Sequence, residues 1–164
     1  MKIDFKEEQK FTQWWLWIFL IGIGIFPIFG IYKQLIIGEK FGDKPMSDSG
    51  LVIFCLLIFS IIAMFWFIRL ITEIDKEEIR INFFPFVKKQ ISWKEIKSVE
   101  IVNYGFVGWG IRLWTKYGTV YNTKGNRGLA IELLNGEKYL IGTQRENEVK
   151  EMIKKNNGQL LLAK

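Results

Sequence analysis

Residues Trp14–Tyr32, WWLWIFLIGIGIFPIFGIY, run 19 positions without a charged side chain, and Leu51–Ile68, LVIFCLLIFSIIAMFWFI, run 18 more. At about 1.5 Å of rise per residue each reaches roughly 27–29 Å as a helix, close to the hydrocarbon thickness of a bilayer. A buried helix of a soluble protein rarely stays uncharged for so long, so the sequence predicts two transmembrane spans, near 14–32 and 51–70. Trp14, Trp15, Trp17 and Tyr32 stand at the ends of the first run and Trp66 near the end of the second, where indole and phenol rings favour the headgroup level. Pro27 is expected to kink the first span. The run is too long for the apolar region of a removable signal peptide, and no small-x-small site follows it.

The polar connector from Lys33 to Gly50, KQLIIGEKFGDKPMSDSG, makes the two spans a hairpin with both chain ends on one side. Lys2, Lys6, Lys10, Arg69, Lys76, Arg80, Lys88 and Lys89 flank its outer ends, against Lys33, Lys40 and Lys44 in the connector. That bias favours cytoplasmic termini in a multi-pass protein of the plasma membrane. Neither span carries an ionisable residue in its middle, which argues against a transporter core. Gly22, Gly24 and Gly30 can bring helices close, although no strict GxxxG occurs.

Composition narrows the chemistry. The 164 residues are 49% apolar, with a mean hydropathy of +0.13. Histidine is absent, which removes the commonest general base, metal ligand and near-neutral pH switch. Cys55 is the single cysteine, so no internal disulfide or multi-cysteine zinc site can form. No GxSxG elbow, phosphate loop or GxGxxG spacing is present. The sequence predicts no enzyme, no cofactor and no metal. The net charge of +6 suits an anionic surface. The mixture of basic and aromatic residues also suits single-stranded nucleic acid, against which a membrane tether argues.

After Arg69 the pattern alternates. Ile79, Ile81 and Phe83 oppose Arg80 and Asn82; Ile111, Leu113, Thr115 and Tyr117 oppose Arg112, Trp114 and Lys116; Leu129, Ile131 and Leu133 share a face. A period of two predicts strands with one buried side. Asn135-Gly136 is a strong hairpin signal, and Pro85 belongs at a bend or an edge. Thr143 and Glu146 have capping-box spacing ahead of Val149, Met152 and Ile153, and Asn156–Gly158 ends that helix. Trp93 is expected in the core. Residues 1–71 are thus read as an N-terminal tail and transmembrane hairpin, and 72–164 as a separate domain. The fold class is α+β: a helix hairpin followed by an antiparallel β-barrel of about seven strands, closed by a C-terminal helix. The tail 159–164 is read as an extended segment folding back.

The segments ISWKEIKSVEI, YGFVGWGIRLW and GNRGLAIELLNGEKYLIGT, with the final helix, resemble the pleckstrin-homology-like (PH-like) domain of small bacterial membrane proteins. In that family a pair of transmembrane helices often precedes the domain. The resemblance implies a non-enzymatic binding or scaffolding module. Relatives that bind phosphoinositides carry basic residues around the first strand turn, where this chain reads EIDKEEIR, with Asp75, Glu77 and Glu78 beside Lys76.

The stretch Tyr104–Gly128 supplies the candidate surface. Gly105, Gly108 and Gly110 allow a loop presenting Phe106, Val107 and Trp109. Arg112, Trp114, Lys116, Lys124 and Arg127 form a basic, aromatic outer face. One reading is docking on anionic lipid headgroups or a membrane protein partner; the other is barrel wall with solvated lysines. From Thr72 onward there are 16 basic and 11 acidic residues, a charge suited to an anionic leaflet. Two functions stand side by side: a membrane-tethered interaction module, or an accessory subunit of a membrane complex contacting its partners through the helix hairpin.

Overall fold

The structure, a computed structural model, describes residues 3–106 and 108–157. The expected wedge residue Val107, the stop signal at Gly158 and the tail 159–164 lie outside the described residues. The chain forms two compact units: Thr12–Phe67 is one, and the chain on either side of it is the other.

The first unit is a pair of helices. Helix α1 (Trp14–Ile31) contains Pro27 and runs on through a π-helical turn, Tyr32–Ile36; α2 is Asp48–Phe67. They lie antiparallel, with Trp17 edge-on to Trp66 at 5.6 Å between ring centroids. Gly24 lets them approach: a Cβ there would stand 3.1 Å from Ile62 and 3.7 Å from Phe59. Gly30 is packed beneath Phe41 and Leu51, whereas Gly22 faces open space. Both helices are long and apolar enough to cross a membrane, 23 residues for Trp14–Ile36 and 20 for Asp48–Phe67. Only 22% and 6% of their most apolar windows are buried, so they lack the cover that a core helix of a soluble protein has. The first apolar helix reaches four residues beyond the expected end. The second stops at Phe67 rather than at residue 70, because Arg69 and Leu70 already pair in a strand.

Among the described residues the second unit holds nine strands in two sheets, not a seven-stranded closed barrel. The strands are β1 (Phe5–Lys10), β2 (Arg69–Ile74), β3 (Glu78–Phe84), β4 (Val87–Ser92), β5 (Ile96–Asn103), β6 (Gly110–Thr115), β7 (Gly118–Asn122), β8 (Arg127–Leu133) and β9 (Lys138–Gly142). The first sheet has the order β1-β2-β3-β4, all antiparallel; the second has the order β5-β8-β9-β7-β6, with β7 parallel to β9. Leu70, Ile74, Ile79, Ile81 and Ile91 from one sheet and Val99, Leu129, Ile131 and Ile141 from the other are almost fully buried. Phe83 lies against Tyr121, 6.4 Å between rings, where the two inner faces meet.

The segment before the first span is not a tail. It is strand β1, paired with β2 from Phe5↔Ile74 to Lys10↔Arg69. Its inward positions are Phe5, Glu7 and Gln9, all buried. Two polar residues on that face find partners in the second sheet. The Gln9 amide donates to the Gly142 carbonyl (2.7 Å) and its oxygen accepts from Thr123 (3.3 Å). Glu7 accepts from the Thr143 hydroxyl (2.6 Å) and the Gln144 amide (2.8 Å). Side-chain hydrogen bonds therefore join the sheets along β1 where a closed barrel would have a backbone ladder.

At the other seam, between β4 and β5, the chain turns through a 3-10 segment, Trp93–Glu95. The capping box sits here. The Ser92 side chain accepts from the Lys94 amide, and the Glu95 carboxylate accepts from the Ser92 amide. Thr143 and Glu146 make no such box. The Thr143 hydroxyl accepts from the Arg145 amide and donates to Glu7, its amide donates to the Arg127 carbonyl, and Glu146 faces Arg127 at 3.5 Å. Helix α3 (Glu146–Asn157) nevertheless follows, burying Val149 and Ile153 as the spacing predicts. Trp93 is core, 6% exposed, and its indole N–H donates to the Asp75 carbonyl (2.9 Å). The same carbonyl accepts from Asn156 of α3 (3.0 Å). Pro85 occupies the β3–β4 turn, and Gly136, with φ +88°, the β8–β9 turn.

Candidate interaction surface

The stretch Tyr104–Gly128 builds one hairpin, β6–β7, and the loops on either side of it. Tyr104 anchors the first loop: the ring is buried against Val120 and Leu140, and the hydroxyl donates to the Gly125 carbonyl (3.1 Å) and accepts from Asn122 (3.2 Å). Burial pushes the Tyr104 phenol above its ordinary pKa, and the Asn122 hydrogen bond opposes this only in part. The phenol is therefore a neutral fastener for the loops. Gly118 sits at the tight β6–β7 turn with φ +72°, and a Cβ there would collide with the Lys138 carbonyl oxygen. The parallel approach of β7 to β9 thus depends on that glycine.

The seven candidate residues fall into two groups. Phe106 is 72% exposed, and its ring stands edge-on to Trp109 at 5.0 Å. The Arg112 guanidinium folds over Gly108, inside the same loop. Arg127 opens β8 opposite Asn103, close to this loop, and Lys124 lies in the β7–β8 connection, where its carbonyl accepts from Gln144. Trp114 and Lys116 stand at the far end of the hairpin. The register runs from Gly110↔Asn122 at one end to Thr115↔Gly118 at the other, about 16 Å along a strand.

Arg112, Trp114 and Lys116 do not share one strand face as alternation predicts. The register shifts between Arg112 and Thr115, and Trp114 adopts φ +56°, so Leu113 and Trp114 both point outward, 54% and 94% exposed. A bulge adds a residue to one strand and resets the alternation beyond it, which period counting cannot see. Lys116 lies over the Tyr117 ring at 4.9 Å.

EIDKEEIR is not a basic ligand loop but the β2–β3 turn, closed by its own acids. Asp75, 3% exposed, accepts from the Glu77 and Glu78 amides (2.8 and 2.9 Å) and pairs with Arg80 at 3.0 Å. Arg80 also contacts Glu73 and Glu78. Among the described residues no group of three or more His, Cys, Asp or Glu could hold a metal ion. The structure brings the aromatic pair Phe106–Trp109 together with Arg112 and leaves Trp114 as a separate exposed ring. Sequence reading missed a second exposed aromatic site, Phe84 and Phe86, 39% and 53% exposed around Pro85. Its signal was in plain view as FFPF, three apolar rings around a turn proline.

No protein-family model, curated protein or solved structure matches this chain.

Proposed function

We propose that this protein is an integral membrane protein whose two apolar helices span the bilayer and hold a non-enzymatic interaction module at its surface. The observation that carries the reading is the insertion of two long apolar helices, barely covered by protein, between strands β1 and β2, which pair with each other. The module is tethered at two points, four residues from Lys10 to Trp14 and two from Phe67 to Arg69. Tethering raises its effective concentration at the membrane, so contacts too weak for a free domain suffice.

The module is PH-like in this reading. With the β6–β7 hairpin set aside, a four-stranded meander, a three-stranded antiparallel sheet (β5-β8-β9) and a C-terminal helix remain. That count supports the resemblance, with β6–β7 as an addition to the edge of the second sheet. The surface it offers is the Phe106–Trp109–Arg112 loop, suited to a lipid headgroup or a membrane protein partner. Both termini are cytoplasmic, on the bias of lysine and arginine towards the outer ends of the spans.

Cysteine labelling tests the orientation. With Cys55→Ala as background, Ser49→Cys in the first turn of α2 reacts with an impermeant thiol reagent in intact cells, and Lys124→Cys does so only after lysis. The reverse pattern would overturn the orientation, and protection of both sites in intact cells would overturn the hairpin topology.

A further inference from the structure

One end of the first sheet gathers features that the surface above does not use. Lys10, Arg69 and Phe84 are cross-strand neighbours on β1, β2 and β3. The Arg69 guanidinium lies over the Phe84 ring at 5.5 Å and faces Glu8 at 3.4 Å. The β3–β4 turn then carries Phe86, 53% exposed, past Pro85. Both phenylalanines keep exposed ring surface at the hairpin tip, although Phe86 also lies beside the core ring of Phe83, 6.5 Å between centroids.

Covalent distance says what covers them. Arg69 is three residues after Trp66, and Lys10 is four before Trp14. Three residues span about 10 Å at full stretch, and Phe84 is Arg69's direct partner. Trp14 and Trp66, 73% and 68% exposed, stand at the two helix ends where interfacial tryptophans belong. The chain thus limits how far Arg69, and with it its partner Phe84, can stand from Trp66.

We infer that the β3–β4 tip, Phe84-Pro85-Phe86, inserts into the phospholipid interface, with Arg69 at the phosphate level. The inference rests on the reading of α1 and α2 as spans. The rings lose their contact with water among the upper acyl chains, Arg69 keeps its charged head among phosphates, and the domain gains a third fixed point beside its two covalent ones. The occupant is lipid rather than protein, because the short connections place bilayer, and no other component, within reach in every copy of the chain.

The test uses the full chain in phosphatidylcholine–phosphatidylglycerol vesicles, with Cys55→Ala as background. An environment-sensitive fluorophore is attached through Phe86→Cys, through Ile18→Cys in α1, or through Lys94→Cys in the 3-10 segment that follows the opposite end of β4. Quenching is read with a nitroxide carried on lipid just below the headgroup. The expected result is strong quenching at positions 18 and 86, with a blue-shifted emission at 86, and little quenching at 94. Quenching at 18 with none at 86 would overturn the insertion, leave the spans intact and assign the tip to a protein partner. Equal quenching at 86 and 94 would also overturn it, as would absence of quenching at 18, which would remove the spans as well.

Discussion

Lys10 stands directly opposite Arg69 across β1 and β2, although 58 residues separate them in the chain. Everything between them apart from the buried pair Phe11 and Ile68 forms a separate unit. The helix hairpin is therefore an insertion in a β-hairpin rather than an anchor placed before a domain.

A soluble protein follows from that pairing. Phe11 and Ile68 are placed to continue the ladder, so an Asn-Gly linker replacing Thr12–Phe67 closes a two-residue turn. The fused chain should give a strand-rich circular dichroism spectrum and one cooperative thermal transition. A chain starting at residue 72 loses β1, half of β2 and the Glu7 and Gln9 links, and should show no cooperative transition. Equal melting of the two chains would mean that β1 is dispensable.

The parts of this fold that were legible are those whose signal is local. The uncharged runs of α1 and α2, the alternation of β3 and β8, and Asn135-Gly136 each depend on neighbours in sequence. Strand β1 was hidden because Glu7 and Gln9 occupy its buried side, so FKEEQK reads as hydrophilic; the hydrogen-bond partners of those two side chains lie 114 to 137 residues away. The true and false capping boxes, Ser92/Glu95 and Thr143/Glu146, have the same spacing. Only tertiary contacts decide between them, because Glu7 and Arg127 claim the groups of the second. IKSVEIV shows no clean alternation, because the register shifts between Ile96 and Ser98. Of the candidate surface, the aromatic and basic content was legible, and its division into two ends was not, since the shift near Trp114 leaves no mark in composition.

Stability should fall in acid through the β2–β3 turn. Lys6 holds Glu73 below its ordinary value of 4.5 by a hydrogen bond, against burial and with help from Arg80. Burial pushes Asp75 up from 3.8, but the Glu77 and Glu78 amides and Arg80 more than offset it, and the net direction is down. Carboxylates lowered in the folded state contribute stability above their unfolded values and lose it as pH falls through the folded ones. The fused soluble chain should therefore be fully stabilised by these groups at pH 7 and lose that contribution from about pH 4.5 downward. Asp75→Asn should cost on the order of 1–3 kcal/mol at pH 7 and flatten the acid limb in urea unfolding. An unchanged acid limb in the variant would show that Asp75 carries none of the linkage.

Trp114 makes the opposite kind of prediction. It is 94% exposed and sits at φ +56°, a region that costs a residue with a Cβ about 1–2 kcal/mol and costs glycine little. A residue that packs on nothing in its own chain and occupies an unfavourable conformation contributes no stability to lose. Trp114→Gly in the fused soluble chain should leave the urea midpoint unchanged or raise it, because relief of the backbone offsets the added freedom of glycine in the unfolded chain. The shift should stay within about 1 kcal/mol. Loss of more than that would show that the indole supports the β6–β7 hairpin. An unchanged or raised midpoint leaves contact outside the chain as the reason for an exposed tryptophan at this position.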